Sequence, residues 1–506
     1  MTPKLRWKLA SGKRQILRRL ENALEADASS PMLSACNIHY ELADRAQAIV
    51  HGGMGLVHKL VTKTGLIKRV DGALHLFKAH KPYHESDHVL NIAYNALCGG
   101  QTLDDIELRR NDRVYLDALG ARSIPDPTTA GDFCRRFEEE HLWALQDAAN
   151  ETRLGVWQTQ SKEFFSEIAR IEADGTMVST DGDCKEGMDI SYDGQWGYHP
   201  LLVSLANTGE PLFIKNRSGN RPSHEGVVPL FDKSIALCRR AGFTDILLRG
   251  DTDFSITTEF DRWSEDNVRF IFGYDARANM IEKAQGLPDA LYRDLVLRAE
   301  QALLTQPRAK PEDIKDGIVR ARKFTTIRTL GEELADFEYQ PGKCHKSYRV
   351  VVLRKNLSIS KGEAVLFEEY RYFFYITNDV NLTLDEVDLE ARGRCNQENL
   401  HSQLKSGVHA LHAPVNTLNA NWAYMVMAAL AWSIKAWMAL YIPVCPRWRE
   451  KHVAEKEEIL RMEFRTFLAR FIHTPAQIIK AGRKIIYRLL AWNPWQHIFF
   501  RLLDAL

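Results

Sequence analysis

The stretch ARGRCNQENLHSQLK, Ala391 to Lys405, sets an arginine, a glutamate and a lysine on one stripe of a predicted helix. At about 100° per residue, Arg394, Glu398 four positions on and Lys405 eleven on fall within roughly 40° of one another. A carboxylate flanked by two cations is thereby aimed in one direction. On an exposed helix such an i, i+4 pair is a surface salt bridge worth a few tenths of a kcal/mol. The stretch gains meaning from what the rest of the chain sets beside it.

Two further acids sit at predicted strand ends. In FTDILLRGDTDF the apolar run Ile246 to Leu248 ends in Arg249, Gly250 and Asp251, so Asp251 leaves the sheet on a turn that glycine permits. In EIARIEADGTMV, Asp174 has the same kind of place, and Arg170, Glu172 and Asp174 share one face of the strand. Glu172, Asp181 and Asp183 are rivals for the first carboxylate, and Asp253 is the less favoured partner of Asp251. Two strand-end aspartates and a glutamate on a later helix make the oxygen-donor set that a pair of Mg²⁺ or Mn²⁺ ions takes.

With RGDTDF and the R-x-x-x-E-x-x-x-x-x-x-K spacing of Arg394, Glu398 and Lys405 go the block CKEGMDISYDGQWGYHPLLVSLANTGEPL and then NRSGNRPSHEG. Together these resemble a DDE transposase of the insertion-sequence 1380 family, within the larger group similar to insertion-sequence 4 transposases. The resemblance runs from about Gly52 to Leu440. It departs at Ala391, where the larger group carries a tyrosine three residues before the arginine. It implies an α/β catalytic core, RNase H-like, with the strand of Asp174 beside that of Asp251. It also implies Asp174 (in the D-x-T of Asp174, Gly175 and Thr176), Asp251 and Glu398 as catalytic, metal-binding residues holding two Mg²⁺ ions, with Mn²⁺ as a substitute. The implied partners are double-stranded DNA, as terminal inverted repeats and as target, and a second copy of the chain in a homodimeric synaptic complex. Arg394 and Lys405 are expected on phosphates, as planar fork and point charge, and Arg249 and Arg221 beside them. In NRPSHEG, Ser223 is read as a helix cap.

Around this core the composition divides the chain. Its 506 residues exceed one ordinary core, and an apolar fraction of 45% with 26% charged residues is that of a soluble globular protein. Net charge is only +1, but both ends are basic: seven Lys or Arg and no acid in the first nineteen residues, and seven with no acid from Phe464 to Leu503. The basic N-terminal arm is expected to contact DNA. Residues 1–160 read as helical and DNA-binding, with starts at Thr102 to Asp105 and Thr129 to Asp132; Arg135 and Arg136 could lie against phosphates there, as in a helix-turn-helix-like module. Residues 161–275 read as the first part of the core, 276–369 as an inserted β-rich subdomain, 370–440 as the rest of the core and 441–506 as a basic helical tail.

Eight scattered cysteines, with no C-x-x-C, speak against a thiolate zinc site or a disulfide framework. The start does not read as a secretory leader, and a bacterial cytoplasmic, nucleoid-associated protein is expected. Trp422 to Val444 is apolar for nearly a membrane's width but carries Ser433 and Lys435, so a buried core helix and no membrane partner are expected. The histidines, His199 and His401 among them, read as core or surface residues.

Overall fold

The computed structural model describes residues 1–24, 38–40, 47–79, 82–182, 184–295, 322, 325–361, 364–482 and 484–506. It is built on a nine-stranded mixed sheet. In chain order its strands are β1 (Ala169–Gly175), β2 (Leu201–Leu205), β3 (Glu210–Lys215), β4 (Ile246–Gly250), β5 (Arg269–Tyr274), β6 (Arg293–Asp294), β7 (Thr325–Tyr339), β8 (Tyr348–Lys361) and β9 (Ala364–Thr377). Across the sheet they run β6-β7-β8-β9-β5-β4-β1-β2-β3. β4 is parallel to both β1 and β5, and every other pairing is antiparallel. A strand with neighbours on both edges and packing on both faces has no use for polar alternation, which is why β2 and β4 are buried at every position.

Five helices are used below: α1 (Glu139–Trp157), α2 (Val227–Ala241), α3 (Leu384–Arg392), α4 (Cys395–Ser402) and α5 (Leu418–Leu440). α5 is apolar on all sides and buried from Ala420 to Leu440, as a helix must be when no face of it can meet water. By length and composition it could cross a membrane, yet its most apolar window lies wholly inside the protein. It packs on α1, on the helix Glu85–Leu97 and on β3. The Lys435 ammonium donates to the Leu460 carbonyl at 2.9 Å and lies 3.6 Å from the Trp432 ring centroid. Burial pulls its pKa down to about 7.

A second buried charge ties three elements together. Glu210 of β3 accepts from Arg153 Nε (2.9 Å) and Trp157 Nε1 (2.9 Å) of α1, and from Trp437 Nε1 (2.8 Å) of α5. The N-terminal helices and α5 therefore share one core with the sheet.

Several expectations change. The β-rich insertion is no separate body: β7 pairs with β8, β8 with β9 and β9 with β5, so they extend the central sheet and a boundary after residue 369 falls inside β9. The C-terminal region is not all helical, because Ala476–Ala481 and Lys484–Leu489 form a β-hairpin whose first strand pairs with Ala48–Ile49. The helix Pro127–Cys134 is capped by Asp126, whose carboxylate accepts the Thr129 N–H at 2.9 Å, rather than by Thr129. Helix α2 starts after Gly226, in the left-handed region at φ +77°, and not at Ser223. The N-terminal arm is a helix, Pro3–Leu24.

Candidate active site

Asp174 and Asp251 stand at the same end of two adjacent parallel strands. The β1–β4 register pairs Ala169 with Ile246 and Glu172 with Arg249, so Asp174 and Asp251 each lie two residues beyond a matched pair. β4 stops at Gly250 because the chain folds back at once into the turn Thr252–Phe254, and a Cβ on Gly250 would sit 2.6 Å from that of Phe254. The Asp251 carboxylate caps this turn, accepting the Asp253 N–H at 2.9 Å. Asp253 thus belongs to the turn and not to a continued strand.

Glu398 arrives from a broken helix. α3 ends at Arg392, α4 begins after Arg394, and a π-helical turn, Gln403–Gly407, carries Lys405. The single stripe expected from Arg394 to Lys405 is therefore two pieces, α4 with Arg394 as its cap and the π-helical turn. The break falls where a Cβ on Gly393 would lie 2.5 Å from Arg249 Nη1. Gln397, buried, anchors α4 by bonding to Ser204 of β2 and donating to the Leu202 carbonyl, which leaves its neighbour Glu398 exposed.

These pieces share one field. The Asp174 carboxyl is pushed up to about 7, first by burial, then by the Asp251 charge, with Glu398 adding to it. The Gly175 N–H and Arg394 pull the other way. Asp251 is raised too, by burial and by Asp253, against its backbone hydrogen bonds and Arg394. Lys405 feels Asp174 as well, although burial lowers its own pKa. Among the described residues no three His, Cys, Asp or Glu side chains already form a closed cage for one ion. The donor set nonetheless fits divalent cations: oxygen ligands only, and an Asp174 carboxyl pushed up to about 7 by burial and by the Asp251 charge, both of which a bound cation would offset.

His401 was not read as a site residue, yet its Nδ1 lies 3.7 Å from Asp174 Oδ2. The ring is buried, its pKa is lowered to about 3 by burial and by Lys405 and His199, and its Nε2 has no hydrogen-bond partner among the described residues. Its place three residues after Glu398, on the same face of α4, is the signal that could have found it.

Other expected residues lie elsewhere. Arg249 is 3% exposed and bonded to Glu172 and Glu390, so it is an internal strut and not a DNA contact. Glu172, its partner, drops out as a rival first carboxylate. Asp181 is exposed, with its charge acting on Lys185, and Asp183 lies outside the described residues. Arg221 is exposed and pairs with Glu225 at 3.5 Å. Arg135 bonds Asp132 (2.6 Å) and Asn416 (2.8 Å), and the Arg136 guanidinium lies 5.0 Å from the Phe77 ring centroid. Ala391, where a tyrosine was expected, is buried against Leu247, Ile271 and Val387.

No curated protein matches the chain. Seven chains of solved structures do, among them the piggyBac transposase in a cryo-EM structure of its synaptic complex with hairpin DNA. That likeness has 10% identity and a TM-score of 0.34, over 90% of this chain and 86% of that one. The family model "Transposase DDE domain group 1" matches residues 41–506, nearly the whole sequence. By that match, the chain belongs to the DDE transposase family.

Proposed function

We propose that the protein is the DNA transposase of an insertion sequence: it binds the element's terminal inverted repeats, cuts the DNA in a metal-dependent reaction and joins the freed ends to target DNA. The observation that carries this reading is that Asp174 and Asp251 end adjacent parallel strands while α4, the helix of Glu398, meets them through His401, whose Nδ1 lies 3.7 Å from Asp174 Oδ2. The order β3-β2-β1-β4-β5, with β1, β4 and β5 parallel, supports an RNase H-like core within the larger sheet. The motifs quoted above support the narrower placement in the insertion-sequence 1380 family.

Asp174 would hold both of two Mg²⁺ ions, or Mn²⁺ in their place, with Asp251 on one and Glu398 on the other; bound there, the ions supply an activated water and neutralise a leaving 3′-oxygen. The chain's own residues do the rest. Arg394 and Lys405, on either side of Glu398 along the chain, hold the phosphate by fork and by point charge. Neutral His401 backs the Asp174 carboxyl without adding positive charge to compete with the ions. Once water has cut one strand, the freed 3′-hydroxyl can take the same place and attack target DNA. Bringing two ends together calls for two copies of the chain on DNA, in the bacterial cytoplasm at the nucleoid.

The test uses the full chain and DNA carrying the element's own ends. Asp174→Ala, Asp251→Ala and Glu398→Ala are expected to bind these ends as the wild type does and to lose Mg²⁺-dependent cleavage. Full cleavage by any one of the three sinks the assignment. Cutting by the wild type with no joining to a target plasmid would mark a nuclease instead.

A further inference from the structure

Behind the acidic site lies a chain of ion pairs that no step above uses. Arg249 of β4 reaches Glu172 of β1 with one arm and Glu390 of α3 with the other, the latter at 2.8 Å to Oε2 and 3.0 Å to the Glu390 backbone carbonyl. Arg170 of β1 ends the chain on the same Glu390, with Nε 2.8 Å from Oε2 and Nη2 2.5 Å from Oε1. Two cations and two anions leave it neutral. Arg249 and Glu172 are almost wholly buried, and Glu390 keeps 15% of its side chain exposed.

Its members are placed to matter. Glu172 lies two residues before Asp174, Arg249 two before Asp251, and Glu390 eight before Glu398. The two strands that lead to the aspartates, and the helix α3 that leads into the one carrying Glu398, are thus clamped together through one guanidinium. α3 and α4 have no other joint than Gly393 and Arg394, and Gly393 has no side chain because Arg249 fills that space. The three acids repel one another, so their spacing without an ion has to be imposed from outside the acid cluster.

We infer that the Arg170–Glu390–Arg249–Glu172 chain of ion pairs is a positioning device that sets the spacing of Asp174, Asp251 and Glu398, and with it the affinity of the site for divalent cations. The inference rests on the metal-dependent reading above and adds to it which residues outside the cluster tune the site. Glu390→Gln removes one anion and with it the charge pairing of α3 to both strands, leaving the bond from Arg249 to the Glu390 backbone carbonyl. Gly393→Ala keeps every charge and pushes Arg249 out of place. Residues that orient metal ligands typically govern affinity by roughly 10- to 100-fold.

The experiment is a Mn²⁺ titration of the full chain, followed by the EPR signal of free Mn²⁺, for the wild type, Glu390→Gln, Gly393→Ala and Asp251→Asn. Duplex DNA affinity and thermal melting are measured on the same samples. Glu390→Gln and Gly393→Ala are both expected to bind Mn²⁺ at least tenfold more weakly than the wild type, with DNA affinity held within twofold. Should Glu390→Gln fail to fold, Gly393→Ala decides alone. Wild-type binding that Asp251→Asn abolishes, with Glu390→Gln and Gly393→Ala still binding as the wild type, overturns this inference and leaves the metal site standing. A wild type that takes up no Mn²⁺ overturns both.

Discussion

Replacing Asp174 by asparagine should make the protein more stable and inactive at once, and the size of the gain follows from its surroundings. In the folded chain the carboxyl titrates at about 7, against 3.8 for an unperturbed aspartate, first through burial and then through the Asp251 charge. Between those two values the unfolded chain has released a proton that the folded chain retains. Unfolding stability therefore falls as pH rises through this window and levels off above about 7. At about 1.4 kcal/mol per pH unit, the wild type loses roughly 3 kcal/mol between pH 5 and pH 8 that the asparagine variant does not lose. The comparison calls for urea unfolding of both proteins in EDTA at the two pH values. Using the change with pH, and not one difference, cancels whatever the amide does by itself. Parallel pH profiles, with the gap constant to within about 1 kcal/mol, would refute the reasoning. Adding Mg²⁺ at pH 8 should restore stability to the wild type alone, and Asp251→Asn should lower the pH at which the wild-type profile levels off.

Three further outcomes are expected. Gly250→Ala should cost about 1–3 kcal/mol by forcing the new methyl against Phe254, seen as a lower urea midpoint. Glu210→Gln should cost about 3–5 kcal/mol, since Arg153 would stay buried without its counter-charge. Lys435 has a pKa lowered from 10.5 to about 7, so the unfolded chain holds a proton that the folded chain gives up. Wild-type melting temperature should therefore rise with pH from about 7 towards 10, and Lys435→Met should remove that slope in a calorimetric series.

What the sequence disclosed about the site was local. Asp174 and Asp251 could be picked out as candidates because each stands next to a glycine at a predicted strand end, and Glu398 because it lies at helical spacing from Arg394 and Lys405. Arg249 was misread for the opposite reason. Its partners are Glu172, on another strand, and Glu390, far along the chain, and nothing within RGDTDF tells a buried arginine from a DNA-facing one. The broken helix escaped notice because Gly393 matters through the guanidinium beside it and not through its own φ of −57°. The β-rich stretch was seen as strands, but which edge those strands would join is a long-range matter, settled by the pairing of Phe374 to Thr377 with β5. The C-terminal hairpin had a readable cue in IIKAGRKII, apolar pairs around a glycine, which the basic composition of the tail obscured.

The burial of α5 sets a timetable for synthesis. The helix Glu85–Leu97 leaves the ribosome roughly 340 residues before α5 is complete, which at ~5–20 residues per second is about 20–70 s. For all that time the face of Glu85–Leu97 that will rest on α5 has no cover from its own chain. Translation thus passes through a long interval in which the first third of the protein offers chaperones an oily surface, and only the last fifth of the message closes it.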